Sequence, residues 1–158
     1  MSSAPAMNIN TDAIWRVTLD TSKGRIVMDL DPQLAPVTVN NFVNLAQDGY
    51  YTGLTFHRVV PDFVIQGGCP EGSGRGGPGY RFADEPVKGD YALGAVAMAN
   101  AGPDTNGSQF FICIDDCRAK LQPAYNLFGC VTEGMDVALA IAVGDTMDTV
   151  TVEEMPRN

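Results

Sequence analysis

The stretch that decides the fold is FHRVVPDFVIQGG, residues 56–68. Its two halves are rich in valine, isoleucine and phenylalanine, as β-strands are, and a proline-aspartate pair separates them. If the chain reverses at that pair, Arg58 lies directly opposite Gln66. Successive side chains of a strand point to opposite faces, so Arg58 and Gln66 then share one face, with Phe63 at the turn. The sequence therefore predicts a β-hairpin that brings a guanidinium group, an amide and an aromatic ring together.

An isolated hairpin of this kind favours a plain structural interpretation, in which Arg58 is solvated and Phe63 belongs to the core. A second stretch, MANAGPDTNGSQFFI at residues 98–112, points to a function. The first stretch has the pattern Phe-His-Arg, then Phe, then Gln-Gly-Gly, and the second block follows it in the chain. Together they resemble the signature of the cyclophilins, a family of peptidyl-prolyl cis-trans isomerases. The likeness covers roughly residues 14–155, which is nearly the whole chain.

Length and composition indicate a single globular domain. The chain has 158 residues, of which 45% are hydrophobic and 18% are charged, as is typical of a domain with a real core. Its formal net charge of −9 repels phosphate backbones, so we expect no binding to nucleic acid. No apolar run approaches the length of about 18 residues that a membrane span needs. We therefore expect no membrane association. Residues 1–12 are expected to form a flexible arm without signal-peptide features, and residues 13–158 an isomerase domain. The expected location is cytoplasmic.

The cysteines are too sparse for a disulfide framework. There are four of them, Cys69, Cys113, Cys117 and Cys130, and we expect reduced thiols, as in a cytosolic protein. The chain has only one histidine, His57, so a zinc site built from cysteine and histidine is not expected. We predict no metal and no cofactor.

The periodicity of the chain predicts a mainly β fold with two helices. Residues 15–19 and 26–30 alternate apolar and polar side chains, as the two strands of a hairpin do. Pro36 is favoured at the first position of a helix, which carries an apolar stripe and stops at Gly49. A second helix is expected around residues 137–141, with its apolar side chains mostly on one side.

Roughly eight short strands with two helices between them suit a closed antiparallel barrel, because closure removes exposed strand edges. The resemblance implies the same architecture. We therefore expect a mainly all-β fold, a closed eight-stranded antiparallel β-barrel of the cyclophilin type, capped by two α-helices that cover its open ends.

Rotation about an X-Pro peptide bond is slow because the amide is conjugated, which creates a barrier of about 18–20 kcal/mol. A catalyst need only weaken that conjugation, and this requires no base, nucleophile, metal or cofactor. It requires an apolar pocket for the proline ring, a donor that favours a pyramidal prolyl nitrogen, and groups that hold the flanking backbone.

The resemblance implies roles for specific residues. The catalytic set it implies is Arg58, Phe63, Gln66 and Asn100, with Arg58 donating toward the prolyl nitrogen or the adjacent carbonyl. The other substrate-binding residues it implies are His57, Val64, Gly74, Ala99, Ala101, Thr105, Gln109, Phe111, Leu121 and Tyr125. Within these sets the family's proline pocket is matched by Phe63, Val64, Phe111 and Leu121. Its side pocket before the proline is matched by Gly74, Ala101 and Thr105, together with Arg81. The expected partners are proline-containing peptides and unfolded proteins, and the expected state is a monomer.

Two positions depart from the family's pattern. Lys120 stands where the family often has tryptophan, directly before Leu121, and Tyr125 stands where it often has histidine. The only tryptophan, Trp15, lies in the first predicted strand, away from this site. Cyclosporin-type cyclic peptides bind the family in the proline groove and contact that tryptophan, so we expect them to bind here with reduced affinity.

A glycine-rich stretch offers a first competing interpretation. Gly72, Gly74 and Gly77 have the spacing of a dinucleotide-binding fingerprint. No helix can follow the run Gly-Gly-Pro-Gly at residues 76–79, so the helix N-terminus that would hold a pyrophosphate is missing. A close-packed loop is the better interpretation.

Other activities are also weaker explanations. A hydrolase triad of His57, Ser108 and Asp104 would need a nucleophile elbow, and the serine is not in one. The plainer interpretation of the histidine is a structural hydrogen bond beside the pocket. The alternative function is a catalytically weak module that binds proline segments, which need not keep both Arg58 and Phe63. A scaffold subunit of a larger complex is a further alternative, and the single expected domain argues against it.

Overall fold

The computed structural model describes residues 4–157, in which the chain forms eight strands and two helices. The strands are β1 (Ile14–Thr21), β2 (Gly24–Leu30), β3 (Phe56–Val60), β4 (Val64–Gly67), β5 (Ala95–Met98), β6 (Phe110–Cys113), β7 (Leu127–Glu133) and β8 (Met147–Met155), and the helices are α1 (Pro36–Gln47) and α2 (Met135–Ala140). The hairpin of β1 and β2, the hairpin of β3 and β4, and the start of α1 at Pro36 confirm the predictions from sequence.

All eight strands belong to one antiparallel sheet, in the order β3-β4-β6-β5-β7-β2-β1-β8. The closed barrel expected from the sequence is not confirmed, because the sheet curls into an open half-barrel. Its two end strands, β3 and β8, approach each other through an isolated bridge of Thr55 and Thr146. A ladder along β3 would need residues 141–145 as partners, and these form the turn after α2 instead.

The sheet has an apolar cluster on each face. The face toward α1, here called the core face, carries the main hydrophobic core, which includes Val39 and Phe42 of the helix. The opposite face, here called the outer face, carries a smaller cluster. Strand β6 contributes to both, because side chains alternate along a strand: Phe110 and Ile112 are in the core and Phe111 is in the outer cluster. The outer cluster consists of Val64, Tyr91, Ala95, Ala97, Phe111, Cys113, Cys117 and Leu127.

Helix α1 is capped by a residue from a distant part of the chain. Ala35, the residue before the helix, makes no side-chain cap. Instead the carboxylate of Glu85 accepts the N–H groups of Val37 at 3.0 Å and Thr38 at 2.8 Å. A carboxylate at this end satisfies N–H groups that have no partner within the helix and interacts favourably with the helix dipole.

Helix α2 is shorter and more exposed than the sequence predicts. Ala138 is its one buried residue, and Leu139 is 57% exposed. Ile141, expected in the helix, has an extended backbone just after it. The predicted apolar side is therefore wrong, because six residues make fewer than two turns and cannot form a long stripe. No helix within residues 4–157 is long and apolar enough to cross a membrane.

The described part of the N-terminal arm lies against α1. The Asn40 side chain accepts the N–H of Asn8 at 3.1 Å and donates to the carbonyl of Pro5, also at 3.1 Å. Asn40 is buried, so the arm satisfies polar groups that would otherwise lack partners. The flexible arm at residues 1–12 stays a prediction, and these contacts are the places where residues 5 and 8 are held. Residues 1–3 of the predicted arm, and residue 158 of the predicted domain, lie outside the described residues.

The four cysteines are free thiols, and they differ in accessibility. Cys69, Cys113 and Cys117 are buried, whereas Cys130 is exposed. We therefore expect the native protein to react rapidly with about one equivalent of the thiol reagent DTNB, and Cys130→Ser should abolish that rapid reaction. After denaturation without reductant all four thiols should titrate, since none of the four cysteines is paired in the structure. A lower total in protein purified without oxygen would reveal a disulfide and contradict this expectation.

Candidate active site

A single row of side chains crosses the outer face from β3 to β7. The register pairs Arg58 with Gln66, Gln66 with Phe111, Phe111 with Ala97, and Ala97 with Leu127. Residues paired across neighbouring strands project from the same face. The register confirms that Arg58 lies opposite Gln66, and it shows that the polar end of the row continues directly into an apolar one.

A tight turn joins β3 to β4. The N–H of Phe63 donates to the carbonyl of Val60 at 3.1 Å. Pro61 and Asp62 are the two central residues, and Asp62 has a φ of 60°, the sign that a type II turn requires at its third position. Aspartate tolerates this left-handed conformation better than most residues. The carbonyl of Phe63 accepts the N–H of Ile114 at 2.9 Å, which ties the turn to the segment after β6.

A β-bulge in β3 sets the direction of Arg58. The register passes from Phe56 opposite Gly67 to Arg58 opposite Gln66, so His57 is an extra residue without a partner. A bulge bends the strand and changes the direction of its side chains, and bulges are common next to active sites. The structure therefore places Arg58 beside Gln66 on the outer face and directs His57 elsewhere.

The two glycines after Gln66 are required by close packing. A Cβ atom on Gly67 would lie 2.9 Å from the carbonyl oxygen of Thr55, and one on Gly68 would lie 2.6 Å from that of Ser108. Gly68 also has a φ of 91°, which residues with a side chain rarely adopt. A side chain at either position would push β4 away from its neighbours and displace Gln66.

Amide groups hold Arg58 in place. Nη1 of Arg58 donates to Oε1 of Gln66 at 3.1 Å. Nε2 of Gln66 donates to Oε1 of Gln109 at 3.2 Å, and Nε2 of Gln109 donates to the carbonyl of Gly76 at 3.0 Å. Each of the two side-chain amides accepts a hydrogen bond from one neighbour through its oxygen and donates one to the next through its nitrogen. The orientation of both amides is therefore fixed. Within residues 4–157 only one guanidinium nitrogen of Arg58 is engaged in this way, which leaves its other donors for a ligand.

A groove of about 290 Å³, here called the small groove, opens beside Arg58. Nine residues line it, and all are among those that the resemblance implies: Arg58, Phe63, Val64, Gln66, Ala99, Asn100, Phe111, Leu121 and Tyr125. The rings of Phe111 and Tyr125 meet edge to face with centroids 5.5 Å apart, a favourable aromatic geometry. The hydroxyl of Tyr91 fixes Tyr125, since it donates to its carbonyl at 2.6 Å and accepts its N–H at 3.1 Å.

A second depression of about 890 Å³, here called the large groove, adjoins the small one. Gln66, Ala99 and Asn100 line both, so the two grooves are continuous. The rest of the wall comes mostly from residues 74–81 and 101–109. It includes four further residues implied by the resemblance as substrate-binding, Gly74, Ala101, Thr105 and Gln109, together with Arg81.

The loop after β5 forms the wall that the two grooves share. Nδ2 of Asn100 donates to the carbonyl of Ala124 at 2.8 Å, and Oδ1 of Asn100 accepts the N–H of Gly102 at 3.2 Å. The N–H of Ala101 donates to the hydroxyl of Thr105 at 2.8 Å. Among residues 4–157 the backbone N–H and carbonyl of Asn100 have no hydrogen-bond partner. They are therefore available to pair with an extended peptide.

Residues 16–157 match the family described as cyclophilin type peptidyl-prolyl cis-trans isomerase/CLD. The chain belongs to the cyclophilin family. Peptidyl-prolyl cis-trans isomerase B of Bacillus subtilis is 48% identical over 132 residues, which are 82% of this chain and 91% of that protein. A peptidyl-prolyl cis-trans isomerase of Helicobacter pylori is 46% identical over 139 residues, 84% of this chain and 83% of that one.

Solved structures show the same relationship. A crystal structure of a cyclophilin-type isomerase from Cryptosporidium parvum superposes with a TM-score of 0.83 at 29% identity and covers 90% of this chain and 99% of that one. A second structure of that protein, obtained in the presence of the dipeptide Ala-Pro, has a TM-score of 0.81 at 29% identity and covers 87% of this chain and 98% of that one.

His57 does not line either groove of this cyclophilin, although it lies behind Gly74 of the large groove. Its Nε2 lies 3.5 Å from the position that a Cβ atom on Gly74 would occupy, and its Nδ1 is buried without a partner among the described residues. Burial lowers the pKa of His57, and the positive charge of Arg58 lowers it further. The structure thus does not bring His57 among the residues that line the grooves, because it is the bulged residue of β3.

Ser108 and Asp104 do not form a triad with His57. The Ser108 hydroxyl donates to the carbonyl of Gly68 at 2.7 Å, and the carboxylate of Asp104 accepts the N–H of Asp84 at 2.9 Å. Both residues therefore serve the packing of the loops around the large groove.

Cys69 has a structural role in this cyclophilin that its sequence gives no sign of. Its Sγ accepts the N–H of Gly76 at 3.2 Å. Burial by itself raises the pKa of the Cys69 thiol, but the backbone N–H groups of Gly76 and three other loop residues stabilise the thiolate and bring the pKa down to about 7. Because the carbonyl of Gly76 accepts a bond from Gln109, the thiol is connected to the amide groups that hold Arg58.

Proposed function

We propose that this peptidyl-prolyl cis-trans isomerase rotates X-Pro bonds without a covalent intermediate, with Arg58 as the electrostatic catalyst and the small groove as the proline site. The observation that carries the proposal is the hydrogen bond of 3.1 Å that fixes the Arg58 guanidinium beside Phe111 and the other apolar residues of that groove.

Arg58 acts on the twisted state of the peptide bond. As the bond rotates, conjugation is lost and the prolyl nitrogen becomes pyramidal and a better hydrogen-bond acceptor. A donor beside that nitrogen stabilises the twisted state more than either planar state, which lowers the barrier. Gln66 holds the guanidinium in position before the substrate binds, so little reorganisation is needed during the reaction.

The two grooves divide the substrate between them. The proline ring rests on Phe111 in the small groove, where burial of apolar surface holds it. The backbone before the proline pairs with the N–H and carbonyl of Asn100, and the preceding side chains enter the large groove. The small groove then holds the proline ring on one side of the X-Pro bond, and Asn100 holds the backbone on the other side. Thermal rotation is therefore confined to the X-Pro bond.

The proposed substrates are proline-containing segments of unfolded proteins, and the structure of a relative obtained in the presence of Ala-Pro supports that choice. We infer a cytoplasmic monomer. The free thiols at all four cysteines suit a reducing compartment, and a net charge of −9 favours a soluble protein whose copies repel one another.

Exchange spectroscopy by NMR on an Ala-Pro tetrapeptide tests the function directly. Unaided, the bond takes tens to hundreds of seconds to isomerise, and a catalytic amount of the protein should bring exchange into the sub-second range. Heat-denatured protein is the control. Chemical shifts that change on binding while exchange stays at the unaided rate would instead indicate a module that binds proline segments.

Lys120 leads to a prediction about cyclosporin-type cyclic peptides. Its Nζ donates to the carboxylate of Asp115 at 2.9 Å and to the carbonyl of Asp62, so a flexible cationic side chain occupies the position at which the family often has tryptophan. The loss of one hydrogen bond costs about 0.5–1.5 kcal/mol, and the loss of part of an aromatic contact costs about 1 kcal/mol at roughly 25 cal/mol per Å². We expect affinity about 10- to 100-fold lower than in relatives with tryptophan.

The inhibition constant should be measured for the wild type, Lys120→Trp and Lys120→Met. We expect the tryptophan variant to bind about tenfold tighter or more, while turnover of a tetrapeptide changes by less than about twofold. Lys120→Met removes the ion pair with Asp115 without adding an indole, and therefore separates the two effects. Equal inhibition constants for all three proteins would show that this position does not contact the cyclic peptide.

A further inference from the structure

The two grooves carry most of the cations that have no carboxylate partner within the described residues. Of the ten lysine and arginine residues, six form ion pairs within residues 4–157. The four that form none there are Arg58, Arg75, Arg81 and Lys88. Arg58 lines the small groove, and Arg75 and Arg81 line the large one. Three of these four cations therefore stand along one continuous depression of an acidic protein.

Negative charge is scarce along the same depression. Glu71 is the one carboxylate among the described residues that lines the large groove, and it accepts the hydroxyl of Ser73 at 3.4 Å. Asp84 and Asp104 are bound to each other's backbone, since each carboxylate accepts the N–H of the other residue, at 2.9 and 3.2 Å. Three guanidinium groups and one carboxylate line the depression, so its lining residues carry a net positive charge.

We propose that the large groove selects substrates that carry an acidic side chain on the N-terminal side of the proline, with Arg75 and Arg81 as specificity-determining residues. The inference rests on the proposed function, because it requires the proline ring to occupy the small groove. An extended chain advances about 3.3–3.6 Å per residue. With the ring in place and the backbone paired with Asn100, the side chains two or three residues before the proline reach the large groove.

The groove arginines attract an acidic side chain, although the rest of the protein surface repels it. The formal net charge of −9 disfavours the approach of an acidic peptide to most of the surface. A cleft in which one sign of charge predominates concentrates the field, and we expect this to overcome the repulsion locally. A guanidinium group also matches a carboxylate in geometry and can bind it with two parallel hydrogen bonds. Exposed pairs of this kind are individually weak, so the selectivity that we expect is about three- to tenfold.

A matched pair of peptides tests the proposal. The peptides are acetyl-Ala-Glu-Ala-Pro-Phe-amide and the same sequence with glutamine in place of glutamate, so that only the charge differs. NMR exchange gives kcat/KM for each, and a chemical-shift titration of the same samples gives the dissociation constants. In low salt we expect kcat/KM to be about three- to tenfold higher for the glutamate peptide. In 1 M salt, where the screening length falls to about 3 Å, the ratio should approach one.

Five variants separate the groove from the overall charge. Arg75→Gln and Arg81→Gln should each lower the ratio, and the double variant should bring it close to one. Glu71→Gln, which removes the one carboxylate of the large groove, should raise it. Lys88→Gln removes a cation that also lacks a carboxylate partner but lines neither groove, so it should leave the ratio and the turnover of the glutamine peptide unchanged.

A wild-type ratio of one or less in low salt would overturn the proposal. The proposal would also be overturned if Lys88→Gln lowered the ratio as much as Arg75→Gln or Arg81→Gln does. The preference for the glutamate peptide would then arise from the net charge of the protein and not from the groove. Failure of the proposed function gives a different result, in which the glutamine peptide isomerises no faster than in buffer. Even then the ratio of the two dissociation constants decides whether the groove prefers an acidic side chain.

Discussion

Replacement of Arg58 by alanine is expected to lower kcat/KM about 10²- to 10³-fold while the fold stays intact. A preorganised donor to charge that develops in a transition state contributes about 2.7–4 kcal/mol. Arg58 is exposed, and its guanidinium is bound to Gln66 by a single hydrogen bond, so we expect its loss to change the free energy of unfolding by less than about 1 kcal/mol. The measurement is kcat/KM on a tetrapeptide, with a circular-dichroism spectrum of the same sample.

Two variants control this experiment. Arg58→Lys keeps the positive charge but loses the planar fork that can bind Gln66 and the substrate together, so we expect only partial recovery of the rate. Arg118→Ala removes an exposed guanidinium that is paired with Asp116 and lines neither groove, and it should turn over substrate at the wild-type rate. A wild-type rate in Arg58→Ala, with an intact spectrum, would remove Arg58 from the mechanism.

Phe111→Ala is expected to lower both stability and turnover. Phe111 is 4% exposed and contacts Tyr125, and removal of a buried phenylalanine costs about 3–5 kcal/mol. For a chain of this size that corresponds to a fall in melting temperature of roughly 6–20 °C. The proline ring also loses the surface on which it rests, so kcat/KM should fall by a further factor of about 10–100, the range in which apolar pocket contacts discriminate substrates.

The neighbouring Phe110 offers a matched control. It is fully buried on the core face, where its ring lies 5.3 Å from that of Phe42, so Phe110→Ala should lose similar stability. Its kcat/KM per folded molecule should stay within about twofold of the wild type, when measured at a temperature at which both variants are folded. Phe111→Leu is a milder variant should alanine prevent folding. Equal losses of rate in Phe110→Ala and Phe111→Ala would show that the two faces of β6 are not independent.

The central hairpin could be predicted from sequence because its determinants are local. The alternation of side chains and a Pro-Asp turn together fix which residues face each other, and Arg58 does lie opposite Gln66. The bulge at His57 could not be predicted in this way. A bulge is a mismatch between two strands, and the sequence of one strand does not reveal how many residues its partner contributes.

Features that depend on distant residues also escaped the sequence. The carboxylate of Glu85 caps α1 from 47 positions away, and Asn40 binds the backbone of the N-terminal arm across 35 positions. Neither contact has a signature in the spacing of residues. The net charge likewise gave no sign of the cationic groove, because a sum of charges does not say which cations are paired. That depended on the fold, which brings six of them to carboxylates and leaves Arg75 and Arg81 along a groove.

The row of side chains from Arg58 to Leu127 lies on the outside of the sheet, and if it holds the proline as we propose, this position decides which prolines the enzyme can reach. A groove that is open along its length receives a polypeptide from the side, so neither end of that polypeptide has to thread through the protein. A proline in the middle of a long unfolded chain is then as accessible as one in a tetrapeptide. Release is also sideways, so one molecule of enzyme can act on several prolines of the same chain in any order.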